Sequence, residues 1–199
     1  MRKPLRLFVL LVASVLPALA NAVATNPGVR PNEWRLLPRH CMYVEGAPGR
    51  TSDPATTRRM LDSDPTWVHM HHYCWAIVQE FRTFRSNMPR REAELTLDAA
   101  VMSLDYVIER SRPGFQFRPD MFVRKARLLA RRGKFIEAAD AARQLIAESP
   151  ALPEGYIALA DVQIKAGRPD QARETLERGE AAVKDKERFG VLKAQLTSR

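Results

Sequence analysis

From Thr66 onward the apolar residues fall at three- and four-residue steps, the spacing of a helix with one buried face. Trp67, Met70, Cys74, Ile77, Val78, Phe81 and Phe84 predict one helix over about 66–85, with Asp64-Pro65-Thr66 as its start signal. Leu95, Ala99, Val101, Leu104, Val107 and Ile108 predict a second over about 91–110, stopped by Pro113-Gly114. The same pattern continues over 118–132, 135–148, 152–166 and 169–182, with a last helix over 186–197. No stretch carries the two-residue alternation of a strand. Upstream, the residues from 23 to 65 hold Pro27, Pro31, Pro38, Pro48, Pro54 and Pro65 with Gly28, Gly46 and Gly49, a density that breaks long periodic elements. This segment still contains Trp34, Leu36, Leu37, Met42 and Tyr43, enough apolar surface to pack on the helical body, and a short helix is expected around 56–61.

The downstream helices repeat at a spacing of 34 residues: Phe122 with Tyr156, Ala126 with Ala160 and Ala194, Gly133 with Gly167, and Ala138 with Ala172. A glycine after the first helix of each pair permits a left-handed turn, and an alanine five residues later permits close approach of the second helix. A unit of two short helices cannot bury its own apolar face, so stacked units share one core and expose a concave surface.

These positions resemble the tetratricopeptide repeat (TPR), whose unit has an early aromatic, a small central residue, a glycine turn and a small residue in its second helix. Phe122, Ala126, Gly133, Ala138 and a closing Pro150 supply that pattern once, and Tyr156, Ala160, Gly167 and Ala172 supply it again. Lys125, Gln163 and Lys184 depart from it, standing where a large apolar residue, an aromatic and the closing proline would be. The expected architecture is all-α: a short TPR-like solenoid of helical hairpins behind an irregular Pro-rich N-terminal segment. It divides into a leader at 1–22, the Pro-rich segment at 23–65, a degenerate hairpin at 66–112, two repeats at 118–184 and a capping helix at 186–197.

The leader reading rests on Arg2, Lys3 and Arg6 ahead of the apolar run from Leu7 to Leu16, followed by small residues up to Ala22. It predicts export to the periplasm or beyond the cell, and the resemblance is accordingly to exported bacterial members of the family. In an oxidising compartment Cys41 and Cys74 are expected to form a disulfide that pins the Pro-rich segment to the first long helix.

The resemblance implies protein or peptide binding along the first helix of each unit, by Asp120, Val123, Arg127, Ala130 and Arg131, then by Glu154, Ile157, Asp161, Ile164 and Lys165. The formal charge is +9, and +6 remains once Arg2, Lys3 and Arg6 are set aside. That excess suits an acidic partner, and export argues against nucleic acid. Membrane contact would be peripheral at most. No nucleophile elbow, phosphate-cradling loop or spaced carboxylate pair indicates catalysis, so no enzyme activity and no cofactor is expected. The function expected is a non-catalytic adaptor, scaffold or assembly factor of the cell envelope.

One competing chemistry stands out. All histidines and cysteines fall in two patches, His40-Cys41 and the run from His69 to Cys74. His69 and His72 share one helix face and His71 lies beside them, so with His40 brought in by the disulfide they offer a metal- or haem-binding alternative. No Cys-x-x-Cys-His or His-Glu-x-x-His motif accompanies them.

Overall fold

A computed structural model of the chain describes residues 33–44, 53–84 and 87–197. The expected leader and residues 23–32 and 45–52 of the Pro-rich segment lie outside these residues. The described residues form eight α-helices and short 3-10 turns: α1 (Pro54–Ser63), α2 (Met70–Arg82), α3 (Arg90–Arg110), α4 (Arg118–Arg131), α5 (Phe135–Glu148), α6 (Pro153–Lys165), α7 (Pro169–Ala182) and α8 (Gly190–Thr197). Consecutive helices from α2 to α7 pack side by side as hairpins, and α4 also touches α6 across the array. This is the all-α hairpin solenoid that the periodicity predicts.

Proline and aspartate set the starts. Asp53 caps α1 by accepting the Thr56 N–H at 3.0 Å ahead of Pro54. Asp64 accepts the Thr66 N–H at 2.8 Å ahead of Pro65, but the turn that follows, Pro65–His69, is 3-10 and α2 proper begins only at Met70. The single helix expected from Thr66 is therefore two pieces. The tighter first turn carries Trp67 into the core, where it is 6% exposed.

The two glycine turns are the same structure made twice. Gly133 and Gly167 have φ of +76° and +74°. Beyond each, the next N–H reaches back five residues, Lys134 to Leu129 O at 2.9 Å and Arg168 to Gln163 O at 2.8 Å. The glycine N–H itself reaches Ala130 O at 3.0 Å or Ile164 O at 3.1 Å. This is the Schellman arrangement, which satisfies the last carbonyls of α4 and α6 and reverses the chain. Ala138 and Ala172, both 0% exposed, then fit against the preceding helix without a side chain to hold it off.

Two of the three departures from the repeat pattern, Lys125 and Gln163, acquire partners. Lys125 extends to Asp105 of α3 at 2.6 Å, so the first repeat meets the degenerate hairpin through an ion pair where the pattern has a large apolar residue. Gln163 Oε1 accepts the hydroxyl of buried Thr175 at 2.9 Å, a polar bridge between α6 and α7 in the place of an aromatic. A continuous core runs from Cys41 and Val44 through α2–α5 to Leu159, and a second cluster, centred on Tyr156, Leu176 and Phe189, closes the C-terminal end.

The N-terminal arm is tied down. Cys41 and Cys74 form a disulfide and both are 0% exposed. The Glu33 carboxylate, 4% exposed, receives Arg82 of α2 at 3.0 Å and 3.1 Å. Thr57 of α1 donates to Tyr43 O at 2.8 Å. Two residues expected on buried faces are outside: Phe84 and Leu95 are each 63% exposed. Among the described residues no helix is long and apolar enough to cross a membrane.

Candidate concave binding site

The first helices of successive units, α4 and α6, together with α8, enclose a depression of about 370 Å³. Five of the residues expected there line it: Val123, Arg127, Glu154, Ile157 and Asp161. Its far wall comes from Arg188, Val191 and Leu192 at the C-terminal end. The sequence carried the signal for that wall, because Val191 stands one 34-residue period after Ile157 and two after Val123. The same register relates Asp120, Glu154 and Arg188. An apolar rung therefore recurs on each of the three helices, and its last member, Val191, is 81% exposed.

The charges on this surface are held in place by carboxylates of the chain. Glu80 of α2 is 4% exposed and takes two guanidiniums, Arg124 by a short contact and Arg127 at 2.8 Å. Arg188 bonds Glu154 at 2.8 Å and Lys165 bonds Asp161 at 2.6 Å. The side chains of Arg127 and Arg188 remain 43% and 48% exposed, so each keeps N–H donors toward solvent after its internal pairing. The surface reads as an apolar floor with a mixed margin, the guanidiniums of Arg127 and Arg188 beside the carboxylates of Glu154 and Asp161.

The other expected residues are elsewhere. Asp120 accepts the Tyr73 hydroxyl and Arg124 Nε, a structural tie between α2 and α4. Arg131 lies over the exposed Phe84 ring with its guanidinium 4.2 Å from the ring centre. Lys165 holds Asp161 without itself reaching the depression. Ala130 and Ile164, expected on the concave face, are buried at 6% and 7% exposure. Ile164 belongs to the C-terminal core because α6 is enclosed by α5, α7 and α8, so its last turn is covered on the side that simple register counting left open.

The four histidines do not converge. His69 and His72 both rest against Tyr106, with ring centres 5.7 Å and 3.9 Å away, and Arg110 lies over the same ring. His71 stacks on His72 at 4.3 Å and hydrogen-bonds Val68 O through Nδ1 at 3.0 Å. His40 sits apart, among Trp67, Tyr73 and Phe117, its ring centre 4.2 Å from that of Phe117. Burial holds the His40 and His72 imidazoles down to about 4, well below the ordinary value of 6.5, with Asp120 opposing the shift at His40. Among the described residues three ligand-type side chains come together at one place only, His40 with Cys41 and Cys74, and there both sulfurs are joined to each other.

Residues 129–196 match the family model described as tetratricopeptide repeat. No curated protein and no solved structure gives a match. The matched stretch begins in the last turn of α4 and ends in α8, so it takes in both glycine turns, α5, the whole α6–α7 unit and nearly all of the capping helix. Over that third of the chain the 34-residue period matches the tetratricopeptide repeat pattern.

Proposed function

We propose that the concave face of α4, α6 and α8 docks a segment of a partner protein, and that this chain acts as a non-catalytic adaptor, scaffold or assembly factor. The observation that carries this reading is the ladder Val123, Ile157 and Val191: three apolar side chains one period apart on one surface, the last of them left open to solvent. The solvent-facing donors of Arg127 and Arg188 select the partner's chemistry, an apolar segment carrying Asp or Glu beside its apolar residues. Export to the cell envelope is part of the proposal and rests on the pattern of the first 22 residues.

A display library of random peptides tests it on the full chain. Selected peptides are expected to combine aliphatic residues with carboxylates, and Val191→Asp or Arg127→Gln, which keeps a donor toward Glu80, is expected to weaken them about tenfold, roughly 1.4 kcal/mol, with helical circular dichroism unchanged. Val191 is on the surface and Arg127 at its edge, so neither change should unfold the chain. Selection indifferent to both substitutions would remove this surface as the binding site. Export is tested separately, by fractionating cells and measuring the N-terminal residue of the recovered protein; recovery from the cytosol with the N-terminus intact would defeat it.

A further inference from the structure

The Cys41–Cys74 pair has a neighbour that the disulfide alone does not explain. A ring nitrogen of His40 and the two sulfurs all lie within 4.8 Å of one another. Both cysteines are 0% exposed, and their Cα atoms are 5.8 Å apart. His40 Nε2 is buried and has no hydrogen-bond partner among the described residues. A buried polar atom without a partner is costly, and such atoms are uncommon unless they serve something else. Around the half-buried ring of His40 stand the aromatic rings of Trp67, Tyr73 and Phe117.

Two thiolates and one imidazole supply three protein donors for zinc, with zinc–sulfur distances of about 2.3 Å and zinc–nitrogen distances of about 2.0–2.1 Å, and leave the fourth tetrahedral position to water. Tetrahedral bonding at those lengths needs the two sulfurs about 3.8 Å apart, so the pair joined here as a disulfide must separate on reduction to admit the ion.

We propose that Cys41, Cys74 and His40 form a redox-gated zinc site: closed as a disulfide when oxidised, and binding one Zn²⁺ when reduced. A dithiol or phosphine reductant supplies the two electrons that break the sulfur–sulfur bond and is itself oxidised, leaving two thiols. Zinc then binds both sulfurs and expels their two protons. In either state the arm that carries His40 and Cys41 is fastened to α2, by a covalent bond in one and by coordination in the other. This reading is independent of the concave docking surface, which lies on other helices.

The test uses the full chain, oxidised or reduced with a water-soluble phosphine without oxygen. Native mass spectrometry with added Zn²⁺ is expected to show one ion per reduced chain and none on the oxidised chain. Co²⁺ added in place of zinc should give a thiolate-to-metal charge-transfer band in the reduced chain alone. His40→Ala, which leaves both thiols, is expected to weaken zinc at least tenfold in a chelator competition, with helical circular dichroism retained. Zinc on the oxidised chain with equal affinity, no zinc on the reduced chain, or unchanged affinity in His40→Ala would each overturn the proposal. So would a reduced chain that loses its helical signal and does not regain it with zinc.

Discussion

The Tyr73 hydroxyl donates to the Asp120 carboxylate across 2.6 Å, tying α2 of the degenerate hairpin to the first turn of α4, where the repeats begin. Tyr73 is 2% exposed, so its hydroxyl has no ready exchange with water. Burial and the neighbouring carboxylate both push the phenol's pKa up, which keeps it a donor at any physiological pH. Tyr73→Phe removes only that oxygen. The expected cost is about 1–2 kcal/mol, because the bond goes to a charged acceptor that is itself half exposed. Thermal unfolding should fall by a few degrees in one transition, since the two parts share a core.

A larger effect is expected one helical turn further along the same seam. Glu80 is buried between Arg124 and Arg127, and Arg124 is itself only 15% exposed. Glu80→Ala leaves the Arg124 charge with the exposed Asp120 as its remaining partner and should destabilise by about 3–5 kcal/mol. Arg127→Ala, by contrast, removes the more exposed partner and should cost less than about 1 kcal/mol. Urea unfolding of both variants checks the order. Equal costs would mean that the carboxylate is better hydrated than its burial implies.

Acid should weaken the fold in a definite window. His40 and His72 have folded-state values of about 4 against 6.5 unfolded, because their surroundings resist the charged ring. Above pH 6.5 neither state takes up the proton, and the full stability is present. As the pH falls from 6.5 the unfolded chain binds protons that the folded chain refuses, so stability drops until about pH 4 and the contribution then levels off. His40 should account for on the order of 1–2 kcal/mol of this, reduced for its part exposure, and His72, more open to water, for less. Asp98 extends the loss to lower pH: the Arg132 hydrogen bond holds its carboxyl below the usual range, so its stabilisation disappears as it protonates. Denaturant midpoints at pH 7, 5.5 and 4 measure the slope, and His40→Gln should flatten it; a slope untouched by that change would show that His40 is solvated.

What was legible in the sequence was what local conformation dictates. Gly133 and Gly167 announce left-handed turns, Pro54, Pro65, Pro153 and Pro169 mark helix starts, and two cysteines in one chain name their own pairing. Ile164 escaped because its burial is decided by α7 and the cap, not by the face of α6 on which it falls. Lys125 and Gln163 looked like defects of the pattern because their partners, Asp105 and Thr175, belong to neighbouring helices. Val191 was readable in principle, by carrying the register of Val123 and Ile157 one period further.

That cap gives the sharpest test of close packing. Gly179 in α7 faces Phe189, which is 0% exposed, and a Cβ at position 179 would meet the Phe189 ring at 2.8 Å and 2.9 Å and Tyr156 Cβ at 2.9 Å. Helix propensity alone would make Gly179→Ala stabilising by about 0.5–1 kcal/mol. Overpacking should reverse the sign, for a net loss of about 1–3 kcal/mol, since Tyr156 Cβ is fixed to its helix and the Phe189 ring must leave its pocket. Gly190 is the control: it has a helical φ of −54° and nothing within 4 Å of an added Cβ, so Gly190→Ala should stabilise by about 0.5–1 kcal/mol. Thermal unfolding gives the two signs, and amide exchange over 187–197 locates the effect. Faster exchange there in Gly179→Ala, and slower in Gly190→Ala, is the expected result. If both substitutions stabilise, Phe189 does not pack on Gly179 in solution, and the wall that α8 lends to the concave face loses its anchor.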